Sequence, residues 1–173
     1  MQNEHALYMV AMIILLSFSF YCSILFVLKD GSLSYKLIGV VVFFSALSLA
    51  VQRDTYLPFL YKSAFPPALV KDVHTPENAN ADTTISVNEP DGTRIAYWGA
   101  LPSKQVQKDP YTAYGPFTNS GVVVVNKGKA NIKFWCPAKY NVPWGATIDR
   151  HIHYRVLHPK GMMSRVYTVF VKC

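Results

Sequence analysis

The chain has 173 residues, 51% of them apolar and only 16% charged, with a formal net charge of +7. That length allows one compact domain with an appendage, and that composition excludes a disordered polyelectrolyte and points to a membrane portion. The charge is uneven: residues 1–52 balance, residues 53–92 carry −3 and residues 93–173 carry +10. A strongly basic C-terminal module thus follows an acidic neck, and anionic lipid headgroups, nucleic acid or acidic protein surfaces attract such a module, with charge alone not choosing among them.

Taken in chain order, the first element is Ala6 to Leu28, 23 residues without a charge. At ~1.5 Å rise per residue this run is long enough to cross a ~30 Å hydrocarbon layer. The residues before it lack Lys and Arg, and the run is too long for the apolar part of a cleaved signal peptide. A short loop with an Asp30-Gly31 turn signal follows. Leu37 to Val51 is then apolar again, with 15 uncharged residues that Ser32 to Tyr35 can extend and Lys36 can flank by snorkelling. The expectation is a transmembrane α-helical hairpin over residues 1–52, with spans of about 6–28 and 34–51. Ser19 and Ser23 on one helix, and Ala46 and Ala50 on the other, are small residues that let two helices approach.

Residues 53–82 read as a polar, Pro-rich linker, with Pro58, Pro66, Pro67 and Pro76. Its aromatic stretch Tyr56 to Tyr61 suits the headgroup level. From residue 83 to 173 the pattern is that of short strands: Thr83–Val87, Thr93–Gly99, Gly121–Val125, Ala130–Cys136, His151–His158 and Ser164–Val171. Turn signals separate them at Glu89-Pro90-Asp91-Gly92, Asn126-Lys127-Gly128-Lys129 and Pro159-Lys160-Gly161. Without a helical period, these strands predict a small all-β antiparallel sandwich domain. Cys22, Cys136 and Cys173 are an odd number at no framework spacing. They predict free thiols in a reducing compartment, and so a β domain on the cytoplasmic side of the membrane or its equivalent.

The chemistry concentrates in His151-Ile152-His153. Strand alternation puts His151, His153, Arg155 and Leu157 on one face and Ile152, Tyr154, Val156 and His158 on the other. The apolar set reads as the core face, so the histidine face is expected to point outward or into a cleft. The stretch KYNVPWGATIDRHIHYRV (Lys139 to Val156), followed by SRVYTVFV (Ser164 to Val171), resembles the C-terminal core of intradiol ring-cleavage dioxygenases. These are β-sandwich enzymes that hold a ferric ion with two Tyr and two His. The resemblance implies Tyr140, His151 and His153 as ligands of Fe3+, with Arg150 a displaced counterpart of the family's arginine. It places a second tyrosine several tens of residues upstream. Tyr111 and Tyr114 are nearer than that, and Tyr97 stands in a different context.

The whole plan also resembles membrane-anchored minor capsid proteins of large icosahedral double-stranded DNA viruses, especially those infecting algae. The segments YGPF (Tyr114 to Phe117), FWCPAKYNVPWG (Phe134 to Gly145) and GMMSRVYT (Gly161 to Thr168) carry this likeness. It implies a structural protein without a cofactor, multi-pass in a virion inner membrane, whose partners are the lipid bilayer and overlying capsid or other membrane-proximal proteins. Its basic contact face would include Lys133, Trp135, Arg150 and Arg155. A membrane-bound iron dioxygenase, or an inactive relative of one, is the alternative. No nucleophilic triad, P-loop or dinucleotide fingerprint is present, and basic charge alone argues for no specific nucleic acid.

Overall fold

The computed structural model describes residues 2–29, 31–52, 72–142, 146–158 and 163–173. The chain divides into two compact units, Met1–Lys62 and Ser63–Cys173. The stretch Tyr56 to Tyr61, Trp144 and the turn Pro159 to Gly161 lie outside the described residues.

In the first unit, helix α1 spans Gln2–Leu28 and helix α2 spans Leu33–Val51. Within them, Val10–Leu28 and Leu33–Val51 are each long and apolar enough to cross a membrane. The two helices meet on small residues. Ser23 on α1 and Gly39 and Ala46 on α2 are buried, and a Cβ placed on Gly39 would come within 2.9 Å of the Ser23 carbonyl oxygen. That closeness requires glycine at position 39. Phe20 packs edge-on against Phe43 at 5.4 Å, beyond the small-residue contact. Of the small residues expected there, Ser23 and Ala46 lie in the interface, whereas Ser19 and Ala50 are only half-buried.

The second unit is all-β and antiparallel, apart from one short helix. Its elements are β1 (Ala81–Ser86), β2 (Arg94–Gly99), α3 (Pro110–Tyr114), β3 (Ser120–Val124), β4 (Lys129–Phe134), β5 (Tyr140–Asn141), β6 (Thr147–Ile148), β7 (His151–Leu157) and β8 (Tyr167–Phe170). One sheet has the order β3-β2-β7-β8, a second pairs β1 with β4, and β5 with β6 form a two-residue ribbon. The β3–β4 connection turns on Lys127 and Gly128, at φ 52° and 71°. Positive φ at both central residues is the hairpin geometry that a Lys-Gly pair here must adopt. Asp91 accepts a hydrogen bond from the Lys127 backbone N–H at 2.6 Å, which ties the two predicted turns together.

Ile95, Tyr97, Val123, Ile152 and Val156 from the larger sheet meet Ile85, Ala130, Ile132 and Phe134 from the smaller one in a single core. The alternation in β4 is clean, with Ala130, Ile132 and Phe134 inward and Lys129, Asn131 and Lys133 outward. Tyr97 crosses the core and donates its hydroxyl to the Lys133 carbonyl at 2.5 Å. Its phenol is satisfied there, in the core and away from the histidine face.

Two expectations are corrected. Residues 72–82 are part of the β domain rather than a linker. His74 bridges Val122, Glu77 accepts from the Trp135 indole at 2.8 Å, and Asn80 accepts from the Cys136 backbone N–H at 2.8 Å. Residues 53–71 lie outside the described residues. Cys136 and Cys173 form a disulfide, with Cα atoms 5.8 Å apart, and only Cys22 is a free thiol. The pairing is a product of the tertiary fold, which brings the segments after β4 and β8 together although 37 residues separate the two cysteines. A reducing compartment does not fit such a bond.

Candidate metal centre

Strand β7 is the shared wall of core and site. It pairs with β2 on one side and β8 on the other, so Trp98 stands opposite His153, Thr168 opposite His153 and Phe170 opposite His151. Directly paired residues share a sheet face. Ile152 and Val156 therefore enter the core, while His151, His153 and Arg155 project from the opposite face. The expected outward or cleft-lining face is instead covered. His151, His153 and Arg155 are 3%, 4% and 5% exposed. Loop segments after β2 and β4 roof it over.

Those segments are held in place by backbone pairing. Leu101 donates to the Ala113 carbonyl at 2.7 Å, Ala138 to Leu101 at 3.1 Å, and Gln107 to Lys139 at 2.8 Å. Asn119, fully buried, donates to the carbonyls of Ala100 and Trp135 and accepts from the Trp135 N–H, at 2.6, 2.9 and 2.9 Å. The helix α3 starts on Asp109, whose carboxylate caps Thr112 N–H at 2.7 Å with Pro110 at the first position. It delivers Tyr114, and β5 delivers Tyr140. Both phenols are buried.

Three polar atoms then meet. The Tyr114 hydroxyl, the Tyr140 hydroxyl and His151 Nε2 lie 3.1 Å from one another on all three sides of a triangle. His151 Nδ1 is 2.6 Å from the Asp149 carbonyl oxygen. A carbonyl only accepts, so Nδ1 carries the proton and Nε2 presents a lone pair to the phenols. Two hydroxyl protons can make two hydrogen bonds, and the third side of the triangle then sets one lone pair against another. A cation bound by all three atoms removes that conflict. At the ~2.0–2.1 Å bond lengths of N and O donors, ligands about 100–110° apart lie about 3.1–3.4 Å from each other. The donor spacing fits.

The His153 ring packs against this group, edge-on to the His151 ring at 4.7 Å and stacked on Tyr114 at 5.9 Å between centroids. Its Nδ1 is engaged with the Thr168 hydroxyl at 2.9 Å, and its other ring nitrogen is buried. Both histidines thus have one nitrogen fixed by the surrounding protein, the arrangement that orients imidazole ligands. Burial pushes the Tyr114 phenol well above its ordinary pKa, and its proximity to Tyr140 pushes it further. In a metal-free site the phenol therefore stays neutral, and a bound cation supplies the charge that phenolate ligation needs. Two phenol oxygens and one imidazole nitrogen, with a second imidazole packed beside them, are donors of a kind that a hard or borderline cation accepts. Among the described residues no cluster of three or more His, Cys, Asp or Glu offers a metal site, so the donors grouped here are mainly tyrosine oxygens.

The sequence-predicted residues fall in different places. His151 and Tyr140 meet, with His153 packed against them. Tyr114, set aside on spacing, is the tyrosine that joins them, while Tyr111 is half-buried on the same short helix. Arg150 donates to the Cys173 carbonyl at the rim. Of the expected contact residues, Lys133 is exposed on the outer side of the smaller sheet, Trp135 is half-buried with its indole N–H donating to the Glu77 carbonyl, and Arg155 is buried on the face of the larger sheet opposite the core. The Asp-Pro pair before α3 is the signal that would have placed Tyr114 on a structured segment.

No protein-family model and no curated protein matches the sequence.

Proposed function

We propose that the chain is a membrane-anchored β-sandwich protein whose covered face binds a ferric ion, with chemistry of the intradiol dioxygenase type on a catechol-like substrate. The single observation that carries this reading is the triangle of Tyr114, Tyr140 and His151 polar atoms at 3.1 Å. Tyr114, Tyr140 and His151 would hold the ion, with His153 beside them. The ion would supply a Lewis-acidic, redox-active centre for a substrate bearing adjacent hydroxyls. The protein's own part is to bury the donors, fix one nitrogen of each imidazole, and deliver the two phenols from α3 and β5. The helical pair α1–α2 would anchor this domain at a bilayer.

The test is to purify the full chain in detergent and load it with ferric ion. The expected result is one tightly held iron and a visible tyrosinate-to-iron charge-transfer band. Tyr140→Phe and Tyr114→Phe should each shift or remove that band. A folded, colourless protein that takes up no iron would overturn the reading.

A second reading is structural. The apolar helical pair and the +10 charge of residues 93–173 support a tether between a membrane and an overlying protein layer, such as a virion inner membrane beneath its capsid. Co-purification with an assembled particle, unaffected by a His151→Ala, His153→Ala double variant, would favour the tether.

A further inference from the structure

We infer that the Cys136–Cys173 disulfide is a latch on the site, so that the histidine pair is held in ligand geometry only in the oxidised chain. This rests on the metal-centre reading for its consequence, but its mechanism concerns only the chain's own residues.

The disulfide spans both halves of the site. Cys136 lies four residues before Tyr140, on the segment that leads from β4 to β5. Cys173 follows β8, whose side chains support both histidines: Thr168 bonds His153 Nδ1 at 2.9 Å, and the Phe170 ring lies 5.7 Å from the His151 ring. Beyond the strand, Val171 donates to the Arg150 carbonyl at 3.0 Å, one residue from His151. Yet β8 is weakly founded. It has four residues, sits at the edge of the sheet and pairs only with β7. Phe170 at its end is 66% exposed. Short edge strands with few pairing partners open at little cost in free energy. The disulfide is the covalent tie that keeps this strand against the histidines and in step with the tyrosine-bearing segment.

Closing the latch removes two electrons and two protons from the Cys136 and Cys173 thiols. They pass to a protein disulfide, which becomes a dithiol. Opening reverses this, with a dithiol reductant oxidised to its disulfide while the two cysteines regain their protons. The latch closes where the β domain meets an oxidising compartment. The site then becomes competent only after delivery to that side of the membrane.

The experiment uses the full chain in detergent, free of metal. Hydrogen exchange is followed at the Tyr167–Phe170 amides before and after treatment with excess dithiol, with Ile95, Val123 and Ile132 as core controls. The expected result is at least tenfold faster exchange in β8 on reduction, with the controls unchanged. Ferric affinity is then compared between the wild type and the Cys136→Ser, Cys173→Ser double variant, without reductant; a loss of tenfold or more is expected. Equal β8 exchange in both redox states would overturn the latch. In a protein that does bind iron, equal ferric affinity of wild type and double variant would overturn it as well. Faster β8 exchange in a protein that binds no iron in either form would uphold the latch and overturn the metal centre. If the double variant fails to fold, the exchange comparison on the wild type decides.

Discussion

Asn119 offers the sharpest test of how the roof over the site is held. Its side chain is fully buried and makes three hydrogen bonds, to Ala100 O, Trp135 O and Trp135 N. These join the segment after β2, which leads to Tyr114, to the segment after β4, which leads to Tyr140. Asn119→Ala strips partners from one backbone N–H and two carbonyls. A buried polar group left without its partner costs about 1–3 kcal/mol. The Trp135 groups are only part-buried and recover some of this from water, so the sum is about 2–5 kcal/mol. For a domain of this size, each kcal/mol lowers Tm by about 4 °C or more, so the variant should melt at least about 8 °C lower. Thermal unfolding of the full chain in detergent, followed by near-ultraviolet circular dichroism of the tryptophans, reads this directly. Asn119→Asp keeps the acceptor for Trp135 N–H but faces two carbonyls with a carboxylate, and it should be at least as damaging. A shift below about 4 °C for Asn119→Ala, with an unchanged native spectrum, would refute the claim that this side chain pins the roof.

Gly121→Ala sets a Cβ against the Tyr97 hydroxyl and, at 2.5 Å, against the His74 carbonyl; overpacking of about 1–3 kcal/mol should appear in chemical denaturation. Gly39→Leu should part α1 from α2, because even a Cβ there meets the Ser23 carbonyl at 2.9 Å; the helical pair should then open at lower dodecyl sulfate, with the β domain's unfolding unchanged. Loss of the disulfide should cost about 4 kcal/mol by loop-closure entropy for its separation of 37 residues, read as a lower denaturant midpoint in the Cys136→Ser, Cys173→Ser variant. Burial raises the Tyr97 phenol above its ordinary value of 10.0, so above that pH the unfolded chain loses this proton first. Stability should therefore fall as pH rises past 10, by roughly 1.4 kcal/mol per pH unit from this group. Tyr97→Phe should flatten the slope.

Much of the architecture was legible because the signals are local. Two charge-free runs gave the helices, and short β-prone runs such as Ala130 to Cys136, bounded by turn signals, gave the strands. Asn126 to Lys129 was legible as a turn because Gly128 accepts the positive φ found there. What was hidden depends on contacts distant in sequence. The Cys136–Cys173 bond follows from the meeting of the segments after β4 and β8, which spacing cannot reveal. Tyr114 was discounted because ligand spacing was compared along the chain. Loop length between β2 and β3 can change without moving the end of α3 relative to β7. The histidine face was read as outward because β7 alternates polar and apolar residues, but a roof of irregular segments covers that face, and such segments carry no periodicity.

The placement of the cluster also explains how one strand can serve both stability and chemistry. In β7, Ile152 and Val156 fill the core between the sheets, while His151 and His153 stand on the opposite face. The two sets share a backbone and no side-chain contacts across it. The core side is apolar and tightly filled, so it sets the position of the strand. The polar side is assembled from β5, α3 and β8, three short elements tied down by Asn119, backbone bridges and a disulfide. A site of this kind is rigid in its histidines through the sheet and adjustable in its tyrosines through the loops. Ring positions on β7 are therefore set by the fold itself, and donor convergence is set by how well the roof is fastened. On the proposed ferric reading, ion affinity should accordingly be more sensitive to changes at Asn119, Thr168 and the disulfide than to conservative changes in the core such as Ile152→Val, which costs about 0.5–1.5 kcal/mol of stability and leaves the opposite face in place.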